Sequence, residues 1–222
     1  MMEIQISPQL KELVPNFKVG IIQYDHIEVG DSPQMIRGRL QTFQESLFFD
    51  LEDKPVSDVG GIAEWRDIFK KVGTDPNRYR PSVEAIYRRI KKQNFLNSIH
   101  SAADLNNFFS IQYEIPVGIY DADKINGDIE IRIGQQDDEY MGINGRNIAM
   151  KDKILSSDHT GAFGSPYVDS ERTAVTVETK NAIQIVYLKP SLQKESCEKL
   201  ITSLGAMFTQ VHGGSVQSFI VE

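Results

Sequence analysis

Pro116 divides this chain into two patterns, and that division limits the folds open to it. Before the proline, apolar residues recur at helical spacing. After it, short β-rich runs punctuated by turn residues take over. Ile36, Leu40, Phe43 and Leu47 space one helical stripe; Ile62, Trp65, Ile68, Phe69 and Val72 space a second, stopped by Gly73; and Val83, Ile86, Tyr87 and Ile90 space a third. Beyond the proline, Val117 to Tyr120, Ile129 to Ile133, Thr173 to Glu178 and Ile183 to Leu188 read as strands. Asn126-Gly127 and Asn144-Gly145 read as tight turns between them. Helices that mostly precede strands, without regular alternation, predict an α+β fold with mixed or antiparallel sheets and packed helices.

Local signals fill in the ends. Ile4 and Ile6 open a strand, and Ser7-Pro8 supplies an N-cap and a first-turn proline for a helix running to about Val14. Lys18 to Val29 reads as a strand, Ser32-Pro33 as a second cap, and Asp53 to Gly61 as a loop. Ser101-x-x-Asp104 reads as a capping box for a helix carrying Leu105, Phe108 and Phe109 and ended by Pro116. Ser191 reads as the cap of a last helix through Leu200, Ile201, Leu204 and Phe208, before a strand over Ser215 to Val221. With no linker and no internal repeat, residues 1–222 read as one domain. In it, 1–75 form a helix-and-strand portion and 76–222 a core with the pocket.

Composition narrows the function classes. No apolar run approaches 20 residues, so no membrane span is expected. Met1-Met2-Glu3-Ile4-Gln5 lacks the basic start and apolar run of a signal peptide, and the single Cys197 leaves no disulfide framework; a cytoplasmic location is expected. The net charge of −7 argues against general electrostatic binding of nucleic acid, DNA included. Arg66 to Lys92, however, carries nine basic residues against three acidic ones, net +6, which leaves −13 on the remainder. Such a local surface, with Arg78, Arg80, Arg88 and Arg89 in it, suits a partner that is anionic at one place; a solvated helix face is the other reading.

The usual self-sufficient chemistries are missing from the sequence. His26, His100, His159 and His212 are scattered, and no Cys-x-x-Cys or His-Glu-x-x-His exists, so no metal site and no cofactor is expected. Neither a phosphate-binding glycine loop nor a Gly-x-Ser-x-Gly elbow is present, and Cys197 sits within a predicted helix. What remains is two polar clusters between Ser101 and Asn181. Asp104-Leu105-Asn106-Asn107 sets side-by-side amides ahead of Phe108-Phe109, where they either face a pocket or support a turn. Gly161 and Gly164 allow close backbone approach, and Asp169-Ser170-Glu171-Arg172-Thr173 packs two acids, a guanidinium and two hydroxyls at the start of a predicted strand.

These clusters lie in a collinear pattern. Asp104-Leu105-Asn106-Asn107-Phe108-Phe109-Ser110-Ile111, Pro116-Val117-Gly118-Ile119-Tyr120-Asp121, Lys124-Ile125-x-Gly127, Ala162-Phe163-Gly164-Ser165 and Glu178-Thr179-Lys180-Asn181 together resemble the editing module (B3/B4 domain) of the phenylalanyl-tRNA synthetase β subunit. The resemblance implies an α+β module that hydrolyses a misattached amino acid (tyrosine in the synthetase), with the acceptor end of an aminoacylated tRNA as partner. It implies that Asn106 and Asn107 touch the terminal adenosine and aminoacyl group. Gly164 and Ser165 would form the turn beside the amino acid, and Asp169 or Glu171 the acid that follows it, with Arg172 and Thr173 adjoining. Two departures concern tyrosine specificity: Gly118 stands where bacterial synthetases have a histidine, and Ser165 replaces the second glycine of the turn.

The leading expectation is therefore an editing-type module acting on mischarged tRNA, with its catalytic residues unassigned. The alternative is a non-catalytic module binding RNA or a free amino acid. An aminoacyl ester is already activated, so water positioning and amide donors to the oxyanion suffice in principle without a histidine.

Overall fold

The computed structural model describes residues 2–222; Met1, where the segment read against a signal peptide begins, lies outside the described residues. The chain opens with strand β1 (Ile4–Ile6) and helix α1 (Pro8–Leu13), the Ser7 hydroxyl accepting from the Leu10 amide as the cap signal requires. Strand β2 (Val19–Asp25) precedes helices α2 (Gln34–Asp50), α3 (Gly60–Lys71), α4 (Ser82–Lys91) and α5 (Ser101–Tyr113). Then come β3 (Val117–Asp121), β4 (Ile129–Ile133), the hairpin of β5 (Glu139–Met141) and β6 (Asn147–Ala149), β7 (Ile154–Asp158), β8 (Gly161–Gly164) and β9 (Ala182–Tyr187). Helix α6 (Lys194–His212) and strand β10 (Ser215–Val221) close the chain. The fold is α+β, as the division at Pro116 implies.

Two four-stranded sheets carry the structure. One has the order β10-β2-β9-β3 and is antiparallel throughout; the other has the order β1-β4-β7-β8, with β1 parallel to β4 and the rest antiparallel. Side chains alternate across a strand and paired residues share a face. One face of the first sheet therefore holds Tyr24, Gln184 and Ile119, and α6 packs there through Phe208, stacked on Tyr24 at 4.2 Å. The opposite face holds Gly118, Tyr120, Ile183, Ile185 and Tyr187, and turns toward the second sheet, where the Tyr187 hydroxyl meets Ser156 Oγ at 3.2 Å. The helix α5, the first sheet and the second sheet thus form successive layers.

Several expected local features are replaced. Ser32 does not cap α2, which has no side-chain cap; its hydroxyl bonds to the Asp104 carboxylate instead. Helix α5 begins at Ser101 and is capped by His100, whose Nδ1 accepts from Ala103, so the Ser101–Asp104 capping box does not form. Asp104 is used by Ser32, Ser98 and the Ile99 amide. Nor does Ser191 cap α6: its amide and hydroxyl bond to Glu64, at 2.7 Å each. Gly60 and Gly61 start α3 rather than ending a loop. A Cβ on Gly61 would overlap the Glu114 backbone, while the Glu114 carboxylate accepts the Gly61 amide at 2.8 Å. The strand expected to reach Val29 stops at Asp25, because His26 turns the chain with φ 57°. The strand expected over Thr173 to Glu178 is irregular, joined to the first sheet only by the bridge Tyr120 to Ala174.

Among the described residues, no helix is long and apolar enough to cross a membrane.

Candidate functional site

The two polar clusters do not share one pocket. Asn106 is buried on the helix side of the first sheet, with both ends of its amide bonded: Nδ2 donates to the Val117 carbonyl at 2.8 Å, and Oδ1 accepts from Gln184 Nε2 at 2.9 Å. Gln184 Oε1 in turn accepts from the Tyr24 hydroxyl at 2.7 Å. Asn106 is thus a link in a buried chain that fastens α5 to β3 and β9. The next residue, Asn107, is half-buried, and its amide makes no hydrogen bond among the described residues. The expectation that both amides present themselves to one ligand is not met for Asn106.

Between the sheets lies a second constellation, centred on Tyr120. Its ring leans back along β3 over Gly118, its neighbour on the same face, and Gly164 of β8 closes over it; a Cβ on either glycine would overlap the Tyr120 hydroxyl. Bare backbone on both sides therefore makes the room that the phenol fills. Phe163 meets the same ring edge-on at 4.9 Å. The Tyr120 hydroxyl donates to Asp169 Oδ1 at 2.6 Å, and the Ser165 amide donates to the same oxygen at 3.2 Å. Asp169 Oδ2 has no hydrogen-bond partner among the described residues.

Burial dominates the electrostatics here. It raises the Asp169 carboxyl to about 6 against the opposing pull of the Tyr120 and Ser165 hydrogen bonds. The Tyr120 hydroxyl is pushed well above its ordinary value, by burial first and by the neighbouring Asp169 charge second. Ser165 stabilises the turn: its hydroxyl donates to the Val168 carbonyl at 2.8 Å and accepts from the Val168 amide at 3.0 Å and from the Tyr140 hydroxyl at 3.1 Å. Two hydroxyls in the same segment, Ser170 Oγ and Thr173 Oγ1, are buried without a partner. A half-buried carboxylate with a free oxygen and two unpaired hydroxyls in the same segment form a donor and acceptor set suited to a small polar group.

The remaining expected residues separate cleanly. Glu171 is exposed. Arg172 is held by Asp158 at 3.0 and 2.9 Å and by the Gly161 carbonyl at 3.2 Å, over the face of Phe163, and so braces the β7–β8 turn. Tyr120 is part of the Pro116–Asp121 motif, which by itself assigns it no role. The usable signal was parity: Gly118 and Tyr120 are two apart in a strand and must share a face.

The basic segment borders this site. The Ser82 amide donates to the Pro166 carbonyl at 2.8 Å, and Tyr79 packs edge-on against Tyr167 at 5.6 Å, so Arg78 and Arg80, both exposed, lie beside the Ser165–Asp169 turn. Lys153 sits over the Tyr79 ring at 4.0 Å. Farther along α4, Arg88 is tied at 2.8 Å to Glu84, a fully buried carboxylate that also holds Arg66 at 2.9 Å; Arg89 is exposed.

Comparison with known proteins places this geometry in a family. The Bacillus subtilis (strain 168) protein YhzB is 36% identical over 214 residues, which cover 96% of this chain and 97% of that one. The phenylalanine–tRNA ligase β subunit of Fusobacterium nucleatum is 23% identical over 126 residues, and that of Bartonella quintana 27% over 90. These alignments span 55% and 40% of this chain but only 16% and 11% of the ligase subunits. A crystal structure of an N-terminal fragment of the phenylalanyl-tRNA synthetase β subunit from Pyrococcus horikoshii aligns with 100% of this chain and 54% of that one, at 14% identity and a TM-score of 0.48. The B3/4 domain family model matches residues 64–202, which take in α4, α5, the Tyr120–Asp169 constellation and β9, and the chain belongs to the B3/4 domain family.

Proposed function

We propose that this protein is an editing-type module that binds the acceptor end of an aminoacylated tRNA in the cytoplasm and hydrolyses a misattached amino acid. The observation that carries the reading is the adjacency of exposed Arg78 and Arg80, with the Tyr79–Tyr167 aromatic pair, to the turn that holds Asp169. Phosphates of a 3′ end would meet the guanidiniums, and a base would stack on an exposed part of the aromatic pair. The amino acid would then reach the polar groups between the sheets. There the free Oδ2 of Asp169 offers an acceptor for its ammonium or side-chain hydroxyl, and the Ser170 and Thr173 hydroxyls and the amides near Gly164 offer donors. Family membership supports a tRNA-related role, since the β subunits it matches in part are named as phenylalanine–tRNA ligases.

Tyr120 supports a second reading. Its phenol already fills the space between Gly118 and Gly164 and takes one oxygen of Asp169, as a module that binds RNA or a free amino acid without reacting would allow. A panel of mischarged tRNAs separates the two. Hydrolysis of at least one member, lost in Asp169→Asn, supports the enzyme. Binding to the panel, or thermal stabilisation by a free amino acid that is recovered intact, with no turnover on any member, supports the non-catalytic module.

A further inference from the structure

A cleft away from Tyr120 opens where α5 begins and α6 ends. It is about 510 Å³ and is lined by Glu28, Gly30, Asp31 and Gly213 together with Ser101 and His212. Ser101 is the first residue of α5, and His212 is the last residue of α6. His212 Nε2 lies 2.8 Å from Ser101 Oγ, and its Nδ1 lies 2.9 Å from the Phe208 carbonyl. A carbonyl only accepts, so Nδ1 carries the proton and donates to it. That leaves Nε2 bare, to accept from the serine hydroxyl. The Gly30 amide donates to the same hydroxyl at 3.2 Å and fixes its rotation. Stacking of the imidazole on the Phe208 ring, with centroids 4.0 Å apart, fixes the base as well. Burial lowers the affinity of His212 for a proton, the Phe208 carbonyl opposes this, and nearby His100 adds to the lowering, so the ring is held in the basic form.

We propose that Ser101 and His212 are the nucleophile and general base of a second reactive site, one that accepts esters of compounds bearing a positively charged amino group. The separation is within the range that nucleophile–base pairs need, and a third group orients the base. In the first turn of α5, the Ser101 amide is used by the Gly30 carbonyl, the Ala103 amide by His100 Nδ1 and the Asp104 amide by the His100 carbonyl. The Ala102 amide is left without a partner among the described residues. We assign the oxyanion donor to this amide, which follows the nucleophile at a helix N-terminus. Selectivity for a cation follows from the exposed carboxylates of Glu28 and Asp31 on the cleft wall, beside the negative end of α6.

The chemistry balances with water as co-reactant. Ser101 Oγ bonds to the acyl carbon while its proton passes to His212 Nε2. The tetrahedral centre collapses, breaking the ester C–O bond, and His212 returns the proton to the departing alkoxide to give the alcohol. Water then attacks the acyl-serine with His212 again accepting a proton, which releases the acid and restores the serine hydroxyl.

The test uses the full chain, phenylmethylsulfonyl fluoride as a serine probe, and the p-nitrophenyl esters of alanine and of N-acetylalanine. The expected result is sulfonylation mapped by mass spectrometry to Ser101, abolished in Ser101→Ala and slowed about a hundredfold in His212→Gln. Hydrolysis of the alanine ester is expected to exceed that of the N-acetyl ester, with the preference lost in the Glu28→Gln, Asp31→Asn double variant. Should Ser101→Ala fail to fold, Ser101→Cys retains the shape, and iodoacetamide is expected to alkylate it at a rate that falls in the His212→Gln background. Absence of labelling in the folded wild-type chain, or labelling elsewhere than Ser101, overturns the proposal and leaves the pair as a tie between α5 and α6. Because the substrates contain no RNA, the outcome is independent of the tRNA panel.

Discussion

Asp169 shows how a single side chain is decided by partners far away in sequence. The residues around it present two equivalent acids, Asp169 and Glu171, and nothing local separates them. The structure places Asp169 against Tyr120, 49 positions earlier, and leaves Glu171 in solvent. Raising the Asp169 carboxyl to about 6, from about 3.9 for an exposed aspartate, has a measurable consequence. Between those values the folded chain binds more protons than the unfolded one, so this residue makes stability fall as pH rises through that window. Two units correspond to about 3 kcal/mol, as an upper figure. Denaturant titrations at about pH 4 and about pH 7 are expected to show that loss in the wild type and a flatter profile in Asp169→Asn. A slope identical in the two proteins would assign it to other groups.

Element by element, the sequence revealed which segments are helices better than how they begin. The stripes of α2, α3 and α4 were legible because periodicity is local. Of the serine signals, only Ser7 acts as a cap; Ser32, Ser101 and Ser191 give their hydroxyls to Asp104, His212 and Glu64, which no window of neighbours contains. Strand errors have the same origin. Thr173 to Glu178 has β-forming residues but only one bridge to a sheet, whereas β7 runs through Ser156 and Ser157 and reads as polar although it is buried in the second sheet. Helix α4 is anchored by Glu84, fully buried with Arg66 and Arg88 on its carboxylate. Glu84→Gln removes the charge but keeps the shape, leaving Arg66 part-buried without its counter-ion. We expect it to destabilise the chain by about 2–4 kcal/mol in urea denaturation. The exposed Arg88 contributes little of that.

At the scale of the molecule, layering explains why the two polar clusters do not share one pocket. The sequence placed Asn106 and Gly164 in one collinear pattern, but alternation within β3 and β9 puts Asn106 on the helix side of the sheet and Tyr120 with Gly164 on the other. The charge distribution was legible, since a net +6 segment within a −7 chain is a count; its position beside the Ser165–Asp169 turn was not, because that rests on contacts of Tyr79 and Ser82. If those residues dock phosphates, charge reversal of Arg78 and Arg80 together is expected to weaken tRNA binding about tenfold or more at low salt. It should also flatten the dependence of affinity on salt by about two contacts. Reversal of Arg89 alone is expected to do less, and equal effects would move the docking face onto α4.

The strand order β10-β2-β9-β3 also bears on how the chain assembles. Strand β2 is made early in synthesis, yet both of its neighbours, β9 and β10, lie beyond residue 181. Its ladders are among the most distant pairings available to the polypeptide, and loop-closure entropy makes such pairings slow. A nascent chain bearing the finished helices α2 to α5 would therefore still lack the sheet on which α5 packs, and the completing event is the arrival of β10 beside β2.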